Sequence, residues 1–113
     1  MTVLIFKIVH APEWPTSGVY GGSEKDRADG FLHFSTAAQI MGTLTRYYAD
    51  AHDLLLVAVD AAALGAALKY EPSREGALFP HLYGTLPREA VRWVKPISRD
   101  ARGAFVLPDD VRA

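Results

Sequence analysis

Residues 54–59, Leu54-Leu55-Leu56-Val57-Ala58-Val59, form an unbroken apolar run of strand length. A strand with no polar alternation has to be covered on both faces, so the run predicts a central strand with packing above and below it. The totals suit that demand. Of 113 residues half are hydrophobic and 22% charged, which fits one domain with one core and argues against disorder. The formal net charge is −1, so no overall basic field recruits nucleic acid or an anionic membrane, although a local phosphate site is compatible with it. Cysteine is absent; disulfides, thiolate zinc sites and a cysteine nucleophile are excluded.

Residues 1–10 are apolar but lack the basic leading region and small-residue cleavage site of a signal peptide. No apolar run approaches the roughly 20 residues of a membrane-spanning helix. A soluble, cytoplasmic protein is expected.

Around the central run the chain reads as α+β. Residues 3–9, rich in β-branched and aromatic side chains and bounded by Ala11-Pro12, read as a buried strand. Residues 11–14 fit one helical turn that folds Trp14 back on the core, with Pro15 preventing a longer one. Residues 16–30 read as loop: Gly18, Gly21 and Gly22 surround Val19-Tyr20, and 23–29 are polar throughout. The glycines match neither a dinucleotide-binding fingerprint nor a phosphate-binding Walker loop. Residues 31–34 read as a second strand. Residues 36–49 read as a helix whose stripe of Ile40, Met41, Leu44, Tyr47 and Tyr48 faces a sheet, with Ser35 or Thr36 as its N-cap. Asp60 caps a short helical segment to Leu64, residues 68–71 alternate like a half-exposed strand, and 73–77 are polar and flexible. Residues 90–97 and 104–107 read as a terminal hairpin, and the tail after Pro108 as frayed.

Three histidines sit where an apolar run meets a turn: His10, His33 and His81. His33 lies in Gly30-Phe31-Leu32-His33-Phe34-Ser35-Thr36, a short run ending in a hydroxyl pair. His81 lies in Leu78-Phe79-Pro80-His81-Leu82-Tyr83-Gly84, where an extended backbone points His81 and Tyr83 the same way. Each polar aromatic then needs a partner. Tyr20 can stack on a ring or plug the core edge. Glu71 ends its strand either as a surface charge or as a carboxylate turned into a cleft. His52 reads as a solvated residue after the helix.

Lys7-Ile8-Val9-His10, Trp14, Gly18-Val19-Tyr20, the run from Gly30 to Gln39, Val59-Asp60, Lys69-Tyr70-Glu71 and Phe79-Pro80-His81-Leu82-Tyr83-Gly84 occur in that order. In this the chain resembles the small bacterial domain-of-unknown-function 952 family, from about residue 4 to 108. Members often carry Ile and Cys where this chain has Leu32 and Phe34. The resemblance implies one domain over 1–108, with 109–113 as a tail. It also implies an architecture similar to the ADP-ribosyltransferase superfamily, with a split, mostly antiparallel β core, short flanking helices and a nucleotide cleft between the halves. The layout is also reminiscent of the tRNA 2′-phosphotransferases of that superfamily, although their arginine set is not visible here. By this analogy His10 takes a ribose-contacting position on the first strand and His33 with Ser35 a second. Glu71 is the candidate for the third position, where many transferases use a glutamate.

The expectation is therefore a histidine-lined cleft that binds or processes NAD, ADP-ribose or a related nucleotide. His10, His33, His81 and Glu71 are the candidate catalytic groups; Tyr20, Ser35, Thr36 and Tyr83 are the candidate ligand contacts. NAD enters as a substrate and no cofactor is required. Cleavage of a nicotinamide–ribose bond passes through an oxocarbenium-like state that preorganised polar groups stabilise. A second chemistry is phosphoester cleavage on RNA or a cyclic nucleotide by a histidine pair, since His33-Phe34-Ser35 has the H-x-S form and a histidine pKa near 6.5 suits acid or base work. A zinc site of His10, His33 and His81 has no supporting motif spacing. A non-catalytic ligand-binding module is the remaining alternative. The cleft reading requires the three imidazoles to converge.

Overall fold

The computed structural model describes residues 3–73 and 76–111. In chain order these form β1 (Leu4–His10), α1 (Glu24–Asp29), β2 (Leu32–His33), α2 (Ile40–Tyr47), β3 (Leu54–Asp60), β4 (Leu68–Pro72), β5 (Leu78–Leu82), β6 (Val91–Pro96), β7 (Ser98–Arg99) and β8 (Phe105–Val106). Short 3₁₀ turns fill several connections. The class is α+β, and every strand pairing among the described residues is antiparallel.

One sheet has the order β1-β3-β6, the other β2-β5-β4, and β7-β8 is a small hairpin. The apolar run is the central strand it was expected to be, and its two faces feed two cores. Val57 and Val59 pack with Ile5, Val9, Leu32 and Leu82 between the sheets. Leu54, Leu56 and Ala58 pack with Phe6, Ile8 and the α2 residues Ile40 and Leu44 on the other side. This is the two-residue period of a strand applied to a segment without a polar side chain. Trp14 packs against the first core, as expected.

Among the described residues one backbone bridge joins the chain continuing from β2 to the first sheet. Ser35 forms an antiparallel bridge to Phe6, with both N–H···O distances 2.8 Å, while the preceding residue, Phe34, donates to the Pro80 carbonyl at 3.0 Å. The backbone changes sheets between Phe34 and Ser35. Beside this crossing lies a cavity of about 460 Å³, with Phe6, Phe34 and Ser35 in its wall.

Several local expectations are corrected. Residues 16–30 are not all loop: Ser23 and Asp26 form a reciprocal capping box that starts α1, and Gly30 at φ 86° ends it. Six polar-rich residues with one buried side chain carry no apolar stripe, so periodicity could not report this helix. The helix expected over 36–49 is a 3₁₀ turn, Ala37–Gln39, followed by α2. Ile40 and Leu44 are fully buried, but Met41 and Tyr47 face outward, because a helix of two turns has only one narrow buried stripe. Residues 91–96 pair with β3 and not with 104–107, since the second edge of β3 offers a longer partner. The terminal hairpin is the shorter β7-β8. The tail is tied down through Val111, which packs on the second core, and through an ion pair between Lys95 and Asp110; Arg112 and Ala113 lie outside the described residues. Of the stretch read as flexible, Arg74 and Glu75 likewise lie outside them, while Gly76 and Ala77 close a turn on Ser73.

Candidate functional site

β1 places Lys7 on the face that Ile5 and Val9 share, toward the facing sheet. Its side chain is 4% exposed. A buried ammonium needs a counter-charge, and α1 supplies it: Asp26, 2% exposed, receives Lys7 Nζ at 2.9 Å on Oδ2. Lys7 Nζ also donates to the His33 carbonyl at 2.9 Å. The amide of Ser23 donates to Asp26 Oδ2 at 2.9 Å, and the amide of His33 to Oδ1 at 3.1 Å. The His33 ring completes the set with Nδ1 2.5 Å from Oδ1. Four donors thus converge on one carboxylate, about what its lone pairs can accept. Burial pushes the Asp26 carboxyl up, but His33, Lys7 and the Ser23 amide together outweigh it and hold the group well below the usual carboxylate range. Burial likewise pulls Lys7 below the usual lysine value, with Asp26 acting against it.

The other nitrogen of His33, Nε2, lies 2.9 Å from Asp29 Oδ2. Carboxylates only accept, so the ring serves both partners when it carries a proton on each nitrogen. β5 brings in the second histidine by pairing with β2, which sets His33 directly opposite His81. The ring centroids are 5.7 Å apart at a near-perpendicular angle. Phe31 stacks on His81 at 4.1 Å and touches His33 at 4.6 Å.

Glu71, on the adjacent β4, accepts from His81 Nδ1 at 2.8 Å and from the Tyr83 hydroxyl at 2.7 Å, both on Oε1. The Tyr83 bond, then the His81 bond, keeps the Glu71 carboxyl below its ordinary value, and Tyr83 is raised in return. Each histidine therefore has Nδ1 held by a carboxylate. The neutral His81 ring, fixed this way, carries its lone pair on Nε2. Ser35 Oγ lies 3.2 Å from Thr43 Oγ1, and both hydroxyls line the cavity with Lys7, Asp26, His33 and His81.

The sequence profile of the family described as "Protein of unknown function (DUF952)" matches residues 8–94. The chain belongs to the DUF952 family. Among solved structures it is similar to the crystal structure of protein CC0527 from Caulobacter crescentus, at 40% identity, covering 96% of this chain and 97% of that one with a TM-score of 0.87. The solution NMR structure of CC0527 is similar at 40% identity, over 89% of this chain and 90% of that one, with a TM-score of 0.79. Among curated proteins none matches the chain.

Against the sequence-based site, this DUF952 chain gathers His33, His81, Glu71, Tyr83 and Ser35 into one neighbourhood and leaves three expected members elsewhere. His10 does not converge with the other histidines. It lies three residues after Lys7 on β1, an odd step that turns it to the opposite face of the sheet, where its ring lies 5.8 Å from Tyr48. Tyr20 is not a ligand shelf: it is 4% exposed in the first core, packed on Trp14 and bridged to Leu86. Thr36 starts the 3₁₀ turn and is not among the residues lining the cavity; its amide donates to Gln39 Oε1 and its carbonyl accepts from the Gln39 amide, both at 3.0 Å. Glu71, for which the surface reading was the simpler one, is turned onto His81 and Tyr83. Among the described residues no group of three or more His, Cys, Asp or Glu side chains is placed to hold a metal ion. No helix among them is long and apolar enough to cross a membrane.

Sequence reasoning missed Lys7, Asp26, Asp29 and Phe31. A signal for Asp26 existed: Ser23-x-x-Asp26 before Gly30 is a helix start and stop within eight residues. Nothing in the sequence distinguished Lys7 from an exposed strand lysine.

Proposed function

We propose that this chain binds or processes NAD, ADP-ribose or a related nucleotide in the cavity between its two sheets. The three-histidine cleft does not form, because His10 lies on the other face of the sheet beside Tyr48; the observation that carries this narrower reading is the facing pair His33 and His81, each oriented by a carboxylate, with Phe31 against both rings. The cavity volume lies in the range of small-molecule sites, and a mix of apolar wall with a few convergent polar groups is what such sites need. The split antiparallel core is of the kind that the family resemblance implies for an ADP-ribosyltransferase-like architecture, which supports the reading as a fold-level analogy. In this reading Phe31 and Tyr83 offer aromatic surface to a base or a nicotinamide ring. Ser35 and the histidines offer hydrogen bonds to ribose or phosphate oxygens, and Glu71 orients His81 through Nδ1.

A second reading is phosphoester chemistry by the same pair. It is favoured by the contrast between the two rings, since His33 contacts carboxylates through both nitrogens and His81 through Nδ1 alone. Such an asymmetry sets one ring up as donor and the other as base.

Nuclear magnetic resonance titration with NAD, ADP-ribose and a 2′-phosphorylated dinucleotide tests both. Shifts at Phe31, His33, His81 and Tyr83 with NAD support the first reading; response to the 2′-phosphate compound alone supports the second. His33→Ala should abolish the response with the fold retained. If no nucleotide perturbs these rings in the wild-type protein, the proposal fails.

A further inference from the structure

The two carboxylates that hold His33 are not equivalent. Asp26 is 2% exposed and fixed by four donors from three parts of the chain. Asp29 is 37% exposed, and its described partners are His33 Nε2 at 2.9 Å and Lys25 Nζ at 3.1 Å, one turn back on the same helix. It is the last residue of α1, where a negative charge gains nothing from the helix dipole. Asp26 belongs to the frame; Asp29 is a side chain that can rotate into solvent, taking its contact from Nε2 with it. The atom it covers is the nitrogen of His33 left for a ligand once Asp26 has taken Nδ1.

We propose that the Asp29 carboxylate occupies the seat of an anionic oxygen of the ligand, so that the ligand enters by displacing Asp29 from His33 Nε2. The inference rests on the nucleotide reading above and narrows it: the group bound at His33 is a phosphate or pyrophosphate oxygen, not a base or an uncharged ribose hydroxyl. A phosphate oxygen reproduces the charge and acceptor geometry of the carboxylate it replaces. Ser35 lies on the wall of the same cavity as a further donor, its hydroxyl turning from Thr43 to the anion, while the Thr43 hydroxyl donates to the Gln39 carbonyl at 3.1 Å. A neutral ligand would have to give up the Asp29 contact with no charge in exchange, which disfavours it at this position.

The test uses the full chain with two probes, inorganic pyrophosphate and ADP-ribose, with adenosine as the uncharged control. Imidazole nitrogen resonances of His33 report the seat. Pyrophosphate is expected to shift the His33 Nε2 signal in the wild type, and Asp29→Asn is expected to tighten pyrophosphate and ADP-ribose by about tenfold while leaving adenosine unchanged. The double variant Asp29→Asn with Lys25→Gln keeps most of that gain if His33 is the seat. If the gain vanishes there, the unpaired Lys25 was its source and the inference is overturned. It is overturned equally if Asp29→Asn weakens or does not alter pyrophosphate binding with the fold intact. ADP-ribose binding that ignores Asp29 overturns this inference and leaves the nucleotide reading standing. Pyrophosphate at His33 with no response to any nucleotide does the reverse.

Discussion

Asp26 holds His33 twice with a single atom: Oδ1 accepts the backbone amide of His33 at 3.1 Å and its ring Nδ1 at 2.5 Å. The same carboxylate closes the α1 capping box from the third helical position and is the counter-charge of Lys7. Helix start, buried cation and histidine orientation therefore depend on one side chain.

This dependence makes the two halves of the buried pair unequal under mutation. Asp26→Asn leaves Lys7 charged and buried without a counter-ion, a loss of about 3–5 kcal/mol. Lys7→Met leaves Asp26 with two amides and the His33 ring, and should cost markedly less, about 1–2 kcal/mol. Urea denaturation of the two variants checks the order; equal losses would mean that Lys7 contributes as much as the carboxylate.

The acid limb of stability follows from the same group. The Asp26 carboxyl is held below its unfolded value, so its stabilisation is complete above about pH 4, the ordinary Asp range. As pH falls further the unfolded chain takes up the proton first, and stability declines by up to about 1.4 kcal/mol per pH unit until the folded group is protonated too. Asp26→Asn should make stability fall less steeply in denaturation curves between pH 5 and pH 2, with Glu71 and Asp29, whose carboxyls are also held low, keeping their share of the slope.

On the other side of the histidine pair, Tyr83→Phe keeps the ring beside Phe31 and removes one of the two donors on Glu71. The Glu71 carboxyl should then titrate closer to the ordinary glutamate range, since its largest downward influence is gone. A carboxyl-carbon NMR titration checks this. Glu71→Ala should in turn redistribute the proton between the two nitrogens of His81, visible in its imidazole nitrogen shifts, with the signals of His33 unmoved.

Gly22 is a backbone position whose substitution reaches the site directly. Its φ is +103°, and a Cβ there would stand 2.9 Å from Asp26 Cβ and 3.2 Å from the Leu32 side chain. Gly22→Ala should destabilise the fold by about 1–3 kcal/mol. It should also move the imidazole signals of His33, because the helix start that positions Asp26 is displaced. Unchanged His33 signals would show that the capping box absorbs the shift.

What the sequence disclosed follows the same physics. β3 was legible because six consecutive apolar side chains leave no solvated face. His33 and His81 were legible as strand-end histidines, and their adjacency follows from the pairing of β2 with β5. His10 shares that local signature, yet strand parity turns it away, and parity relative to a partner sheet is a tertiary fact. Lys7 and Asp26 were hidden for a related reason: each looks like an ordinary surface charge until the other is brought to it. α1 was invisible to periodicity because its one buried residue is that aspartate.

The step from Phe34 to Ser35 has a mechanical consequence. Since adjacent amides are claimed by different sheets, the two halves are riveted within a single peptide unit next to the hollow they enclose. The aperture is thus gauged by main chain, like a jaw hung on a fixed pin. Exchanging wall side chains other than Lys7, whose ammonium also ties β1 to the His33 carbonyl, alters what the jaw grips, whereas replacing Ser35 by proline, which removes the amide that donates to Phe6, would loosen the pin itself.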